Sequence, residues 1–162
     1  PLAYSYQLSG VSSDVQAIGF NWDAGVAVSS EDDESWTITL ADSVMDPLSY
    51  QLALRRRLQA NPDAQIGSIF DFQIIDGDEI ELQLQQYRLT GEEVLSTSLG
   101  RMNSVKLSRV RDAGDRRSTT IWLARDWDYL LIRIEQRSRS GLRIELDLER
   151  ATVNGETVAA LP

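Results

Sequence analysis

Apolar and polar residues alternate with a period of two along most of the chain. The last alternating run is the clearest, because Leu142, Ile144, Leu146 and Leu148 alternate there with charged residues. Successive side chains of a β-strand point to opposite faces, so this alternation predicts strands with one buried face. Turn residues such as Asp76-Gly77-Asp78 separate the runs and predict hairpins. The pattern predicts about ten short antiparallel strands.

Helical spacing occurs in one segment, from Pro47 to about Gln59. Asp46 is a suitable N-cap, and Pro47 suits the first helical position. The three arginines at 55–57 place positive charge near the C-terminal end of the helix dipole, where it stabilises the helix. An apolar stripe at i and i+4 spacing must be covered by another element; it consists of Leu48, Leu52, Leu54 and Leu58.

Together these elements predict a mainly β fold. We expect an antiparallel up-and-down sheet that curls into a barrel or half barrel, with the amphipathic helix packed on it or in it. The 162 residues fit a single β domain spanning 1–162, because a chain of this length buries a sizeable core. No internal repeat or linker divides the sequence.

The amino-acid composition limits the kinds of catalytic and metal-binding site that the chain can form. The chain has no cysteine and no histidine, and Lys106 is its single lysine. A disulfide framework, a thiolate metal site and a cysteine nucleophile are therefore impossible, and the commonest general base is missing. An enzyme becomes less favoured than a non-enzyme, and we expect neither a cofactor nor a bound metal. The net charge of −9 argues against nucleic-acid binding, which depends on clustered cations.

Two acidic groups still invite a chemical interpretation. Asp126 and Asp128 lie two apart beside aromatic residues and resemble the paired carboxylates of a glycosidase. The structural alternative, which we favour, is that they accept backbone N–H bonds in a turn. The acidic stretches 31–34 and 76–79 offer oxygen ligands for calcium, but solvated surface charge is the simpler interpretation.

A set of large apolar residues falls on the apolar phase of the predicted strands and helix. Core filling explains them, but an incompletely closed sheet would let the same residues line a cleft for an apolar or lipid-like ligand. The predicted ligand-binding residues are Tyr4, Tyr6, Phe20, Trp22, Trp36, Leu48, Leu52, Phe70 and Phe72.

Four parts of the sequence resemble a family of exported Gram-negative proteins, the domain-of-unknown-function family three-one-oh-eight. They are Pro1 to Gly10 with Phe20-Asn21-Trp22, Asp46 to Arg55, Gly91 to Gly100, and Trp122 to Glu135. The resemblance implies a periplasmic or secreted location, a mainly β domain and no assigned activity. It also implies that the chain lacks N-terminal strands and a signal peptide found in similar proteins. Self-association or strand addition at the open sheet edge would then follow.

Three functions remain open at this point. The first is a non-enzymatic envelope binding or interaction module, with an apolar or lipid-like small molecule as its partner. The second is a carboxylate-dependent hydrolase of saccharide or cell-wall material, and the third is a purely structural envelope scaffold.

Overall fold

The computed structural model describes residues 1–7, 15–31, 34–75, 82–111 and 113–160, without the side chain of Tyr6. The chain forms two compact units. The first unit comprises Pro1–Leu52 and Asp71–Gln85, and the second comprises Ala53–Phe70 and Gln86–Pro162. The single domain expected from chain length stays a prediction.

The first unit is built on a four-stranded antiparallel sheet in the order β1-β2-β3-β4. Its alternating residues bury one face, as predicted: Ile18, Phe20, Ala27 and Ile38 form a core together with Val44 and Ile75, which lie outside these strands. The strand bounds are β1 Ala3–Gln7, β2 Val15–Asn21, β3 Val26–Glu31 and β4 Glu34–Thr39.

A six-stranded sheet has the order β10-β9-β8-β7-β6-β5, and its strands from β6 to β10 pair antiparallel. A short hairpin, β11-β12, follows near the C-terminus. The bounds are β5 Ile69–Ile74, β6 Gln83–Thr97, β7 Gly100–Arg109, β8 Ser118–Ala124, β9 Leu130–Arg137, β10 Arg143–Asp147, β11 Thr152–Val153 and β12 Glu156–Thr157.

The mainly β, antiparallel prediction is confirmed. In the described part of the chain, the first strand does not pair with the last in either the four-stranded or the six-stranded sheet. The dipeptide Thr90-Gly91 has the composition of a turn but does not end a strand, because β6 continues through it with a register shift between Leu89 and Gly91. The predicted hairpin turn at 76–78, the acidic stretch 76–79 and residues 32–33 of the other acidic stretch lie outside the described residues.

The helix α1 spans Ser49–Ala60 and starts two residues later than predicted. Asp46 is its cap, since Oδ1 accepts hydrogen bonds from the N–H groups of Leu48 and Ser49 at 2.8 Å each. No helix among the described residues is long and apolar enough to cross a membrane.

The predicted apolar stripe of α1 is only half correct. Leu54 and Leu58 are buried, but Leu48 and Leu52 are exposed. The buried row also contains Tyr50, which lies four residues before Leu54. At about 100° per residue, Leu52 is turned by about 200° from Tyr50, so the two cannot share a face.

Candidate binding surface of the second unit

The β9–β10 hairpin of the second unit has one apolar face that is exposed. Cross-strand partners share a face, so the pairs Ile134–Leu146 and Gln136–Ile144 place the even-numbered residues of β10 together. Leu142, Ile144 and Leu146, called here the apolar strip, are between 48% and 63% exposed. They form a contiguous apolar surface at an edge of the sheet.

Burial falls steadily along one cross-strand row of this face. The row runs from Leu107 on β7 through Ile121 and Ile134 to Leu146 on β10. Leu107 is 0% exposed and Ile121 2%, whereas Ile134 is half-buried and Leu146 is 63% exposed. The described residues therefore cover this face over β7 and β8 and leave it open at β10.

The opposite face of the hairpin is polar and internally paired. Arg133 bonds to Asp147, while Glu135 accepts from Arg137 and Arg143. The hydrogen bond from Arg133 lowers the pKa of Asp147, and the bond from Arg137 is the main cause of the lowered pKa of Glu135. Arg133–Asp147 and Arg143–Glu135 are cross-strand ion pairs, whereas Arg137 and Glu135 both belong to β9.

A shallow cavity of about 200 Å³, which is largely open to solvent, adjoins the strip. Its lining is contributed by β9, by β10 and by the residue that follows β10: Leu131, Ile132, Arg133, Ile134, Leu146, Asp147 and Leu148. Pockets that enclose drug-sized ligands hold about 300–1,000 Å³. The cavity is therefore large enough for part of an apolar ligand, whose remainder would lie along the exposed strip.

The junction of β8 and β9 is a tight corner. A short 3-10 turn spans Arg125–Trp127, and Asp128 and Tyr129 follow with φ angles of 54° and 59°. Such angles are strained for residues other than glycine. Arg55 holds the corner, because its Nε donates to the Asp128 carbonyl at 2.6 Å and its Nη2 to the Trp127 carbonyl at 3.5 Å.

The two candidate catalytic aspartates have separate partners. Both carboxylate oxygens of Asp126 accept from Asn103, including its backbone N–H at 3.1 Å. The Asp128 carboxylate is exposed and lies 3.9 Å from Arg55. Asp126 thus makes the kind of backbone contact that the structural interpretation predicted, although its donor is on β7 and not in its own turn. The catalytic interpretation stays untested.

The predicted ligand-binding residues are distributed over both units. The first unit holds eight of them, and Phe70 belongs to the second. Phe20, Phe70 and Phe72 are buried, whereas Trp22 is exposed and stacks on Phe20 at 5.8 Å between ring centroids. Tyr4 packs against the first core, Trp36 is half-buried, and Leu48 and Leu52 are exposed.

An arginine cluster, defined as Arg111, Arg117 and Arg139 around Asp115, was missed by sequence reasoning. Their nitrogens lie 3.4, 2.9 and 3.8 Å from the carboxylate oxygens of Asp115. The bidentate hydrogen bond from Arg117 holds the pKa of Asp115 well below its usual range. The sequence showed only a charged loop at 111–117, and the excess of arginine there in an acidic chain was the available clue.

Among the described residues, no group of three or more acidic side chains is placed to hold a metal ion.

Comparison with known proteins gives the family but no activity. No curated protein and no solved structure matches the chain. A family model described as "Protein of unknown function (DUF3108)" matches residues 1–147, which is most of the chain. The chain belongs to the DUF3108 family.

Proposed function

We propose that the chain is a non-enzymatic binding module of the cell envelope, and that it binds an apolar or lipid-like ligand on the apolar strip. The observation that carries the proposal is the exposure of Leu142, Ile144 and Leu146 beside an apolar cavity. Contiguous exposed apolar surface on a soluble protein commonly marks a ligand or partner site.

Contact with the apolar strip alone gives a ligand only a modest affinity. Full burial of one exposed Leu or Ile side chain stabilises by about 1.5–3 kcal/mol. Because the three residues are already partly buried, covering them contributes about half of the full amount, or about 3–5 kcal/mol in all. Association costs offset much of this. A ligand that also fills the adjoining cavity therefore binds better than one that touches the strip alone.

A titration with the neutral apolar dye Nile red tests the proposal. Leu146→Gln removes apolar surface from the strip and should weaken binding by about tenfold, which corresponds to about 1.4 kcal/mol. Leu84→Gln is the matched control, since Leu84 is 62% exposed and belongs to the first unit. Equal affinities of the two variants would refute the assignment of the site.

Two broader expectations belong to the same proposal. The curling of the sheets into a barrel or half barrel is one, and a periplasmic or secreted location is the other. The location is supported by the resemblance to exported proteins, and fractionation of the native host tests it. Recovery in the cytoplasmic fraction would contradict it.

The edge of β10 is also suited to strand addition. In the described part of the chain β10 is the terminal strand of its sheet. The Leu142 carbonyl accepts from the Ser138 N–H at 2.9 Å, so the even-numbered positions bond to β9. The backbone groups of Arg143 and Glu145 therefore point away from β9, where a further strand would pair.

We propose self-association of two copies at this edge. An antiparallel pair centred on Ile144 sets each Arg143 opposite Glu145 of the second copy, so that opposite charges meet. Glu145→Lys should then shift sedimentation equilibrium toward the monomer, whereas Glu149→Lys should leave it unchanged. A wild-type protein that stays monomeric at hundreds of micromolar would refute this part of the proposal.

A further inference from the structure

The arginine cluster lies at one end of the face that carries the apolar strip. Thr119 on β8 pairs with Gln136 on β9, and Gln136 pairs with Ile144 on β10, so the three residues form one cross-strand row. Arg111 contacts the first residue of this row, because its Nη2 lies 3.4 Å from Thr119 Oγ1. The row therefore leads from an arginine of the cluster to the centre of the strip.

Arg139 approaches the strip from the other side. It belongs to the turn between β9 and β10 and precedes Leu142, the first residue of the strip, by three positions. Its side chain is 71% exposed, and within the described part of the chain its ion pair is a long contact of 3.8 Å with Asp115. Its guanidinium is therefore available to a ligand at the point where the strip begins.

The cluster has more positive than negative charge. Three guanidinium groups share the carboxylate of Asp115, which is already bound in bidentate fashion by Arg117. The Nε atom of Arg111 is buried and has no hydrogen-bond partner among the described residues. Burial and the nearby Arg109 and Arg117 lower the pKa of Arg111. A second anion bound beside these guanidinium groups would reduce the repulsion between them.

We infer that the ligand is an anionic amphiphile, whose phosphate, sulfate or carboxylate group binds Arg111 and Arg139 and whose hydrocarbon chain lies along Leu142, Ile144 and Leu146. This inference rests on the proposed function. Guanidinium forks match the geometry of phosphate and carboxylate oxygens, and they lie where the apolar strip begins. The headgroup and the chain are thus recognised by neighbouring surfaces on one face of the sheet.

Three probes separate the contributions of headgroup and chain. Dodecyl phosphate carries both, dodecyl maltoside carries the same chain with a neutral headgroup, and inorganic phosphate carries the anion alone. Calorimetric titration below the micelle-forming concentrations should show dodecyl phosphate binding at least about tenfold more tightly than dodecyl maltoside. Inorganic phosphate should bind more weakly than dodecyl phosphate.

Two variants locate the headgroup. Arg139→Gln should reduce the preference for dodecyl phosphate severalfold without lowering the melting temperature, because Arg139 is largely exposed. Arg111→Gln should reduce it further. Arg101→Gln removes one exposed positive charge at the start of β7 and should leave the preference unchanged. If Arg111→Gln fails to fold, the comparison of Arg139→Gln with Arg101→Gln decides the question.

The outcomes distinguish the inference from the function on which it rests. Equal affinity for the two dodecyl compounds would overturn the anionic headgroup and leave the apolar site intact. Equal binding of dodecyl phosphate and inorganic phosphate, with no binding of dodecyl maltoside, would overturn both. A loss of preference in Arg101→Gln as large as that in Arg139→Gln would also overturn the inference, since it would show a general charge effect.

Discussion

Replacing Arg55 with methionine should destabilise the second unit by about 1.5–2 kcal/mol, the lower part of the range for hydrogen bonds to charged groups. Methionine retains the length of the side chain but removes both donors to the corner carbonyls of Trp127 and Asp128. The lower part of the range applies because the Arg55 side chain is still 23% exposed and partly screened by solvent. The left-handed Asp128 and Tyr129 would lose the main contact that holds them.

Thermal unfolding followed by circular dichroism measures this loss. In a chain of this size each kcal/mol lowers the melting temperature by about 2–4 °C, so Arg55→Met should melt about 3–8 °C lower than the wild type. Gln59→Ala removes only the weaker contact to the same carbonyl, at 3.2 Å, and should cost about 0.5 kcal/mol.

Substitution of Asp128 distinguishes the contribution of its backbone carbonyl from that of its carboxylate. Asp128→Gly keeps the carbonyl, removes the long 3.9 Å contact to Arg55 and relieves the positive φ. It should therefore be neutral or stabilising by up to about 1 kcal/mol. The reasoning is refuted if Arg55→Met lies within about 0.5 kcal/mol of the wild type, or if Asp128→Gly is the more damaging change.

Three further predictions concern the fold, its pH dependence and the carboxylates. Gly100→Ala should cost about 2–4 kcal/mol in urea unfolding, because φ is 108° there and an added Cβ would overlap Ala160; a loss below about 1 kcal/mol would contradict the close approach. The folded-state pKa of Glu135 is lowered from 4.5, so its carboxylate stabilises the fold above that pH, and the stability is lost as the pH falls through the folded pKa. Unfolding free energies of the wild type and Glu135→Gln should therefore converge as the pH falls below 4.5, and a difference that does not shrink on acidification would count against the ion pairs. The wild type should show no turnover in a hydrolase screen of saccharide and cell-wall substrates; turnover by the wild type that Asp126→Asn combined with Asp128→Asn abolishes would establish the hydrolase alternative.

Local patterns were sufficient to predict most strands and the N-cap of the helix. The alternation of β10 and the cap formed by Asp46 both act through neighbours in sequence, so they could be predicted from the sequence alone. The buried face of the helix could not be predicted in this way, because Tyr50 and Leu52 can both fill a core and tertiary packing decides which of them is buried.

Long-range contacts account for most of what was missed. Arg55 and Asp128 are separated by 73 positions, and Arg139 and Asp115 by more than 20, so no local spacing indicates that they meet. The sequence predicted a buried apolar face for β10, but alternation does not show which strand of a sheet remains uncovered. The exposure of Leu146 is a property of the assembled sheet.

The central claim is that the apolar strip binds an apolar ligand. Methyl NMR spectroscopy tests this claim most directly. The account predicts that adding dodecyl maltoside below its micelle-forming concentration shifts the methyl signals of Leu142, Ile144 and Leu146. The signals of Leu48 and Leu84, which are equally exposed in the first unit, should stay in place. Shifts at Leu48 and Leu84 without shifts in the strip would contradict it.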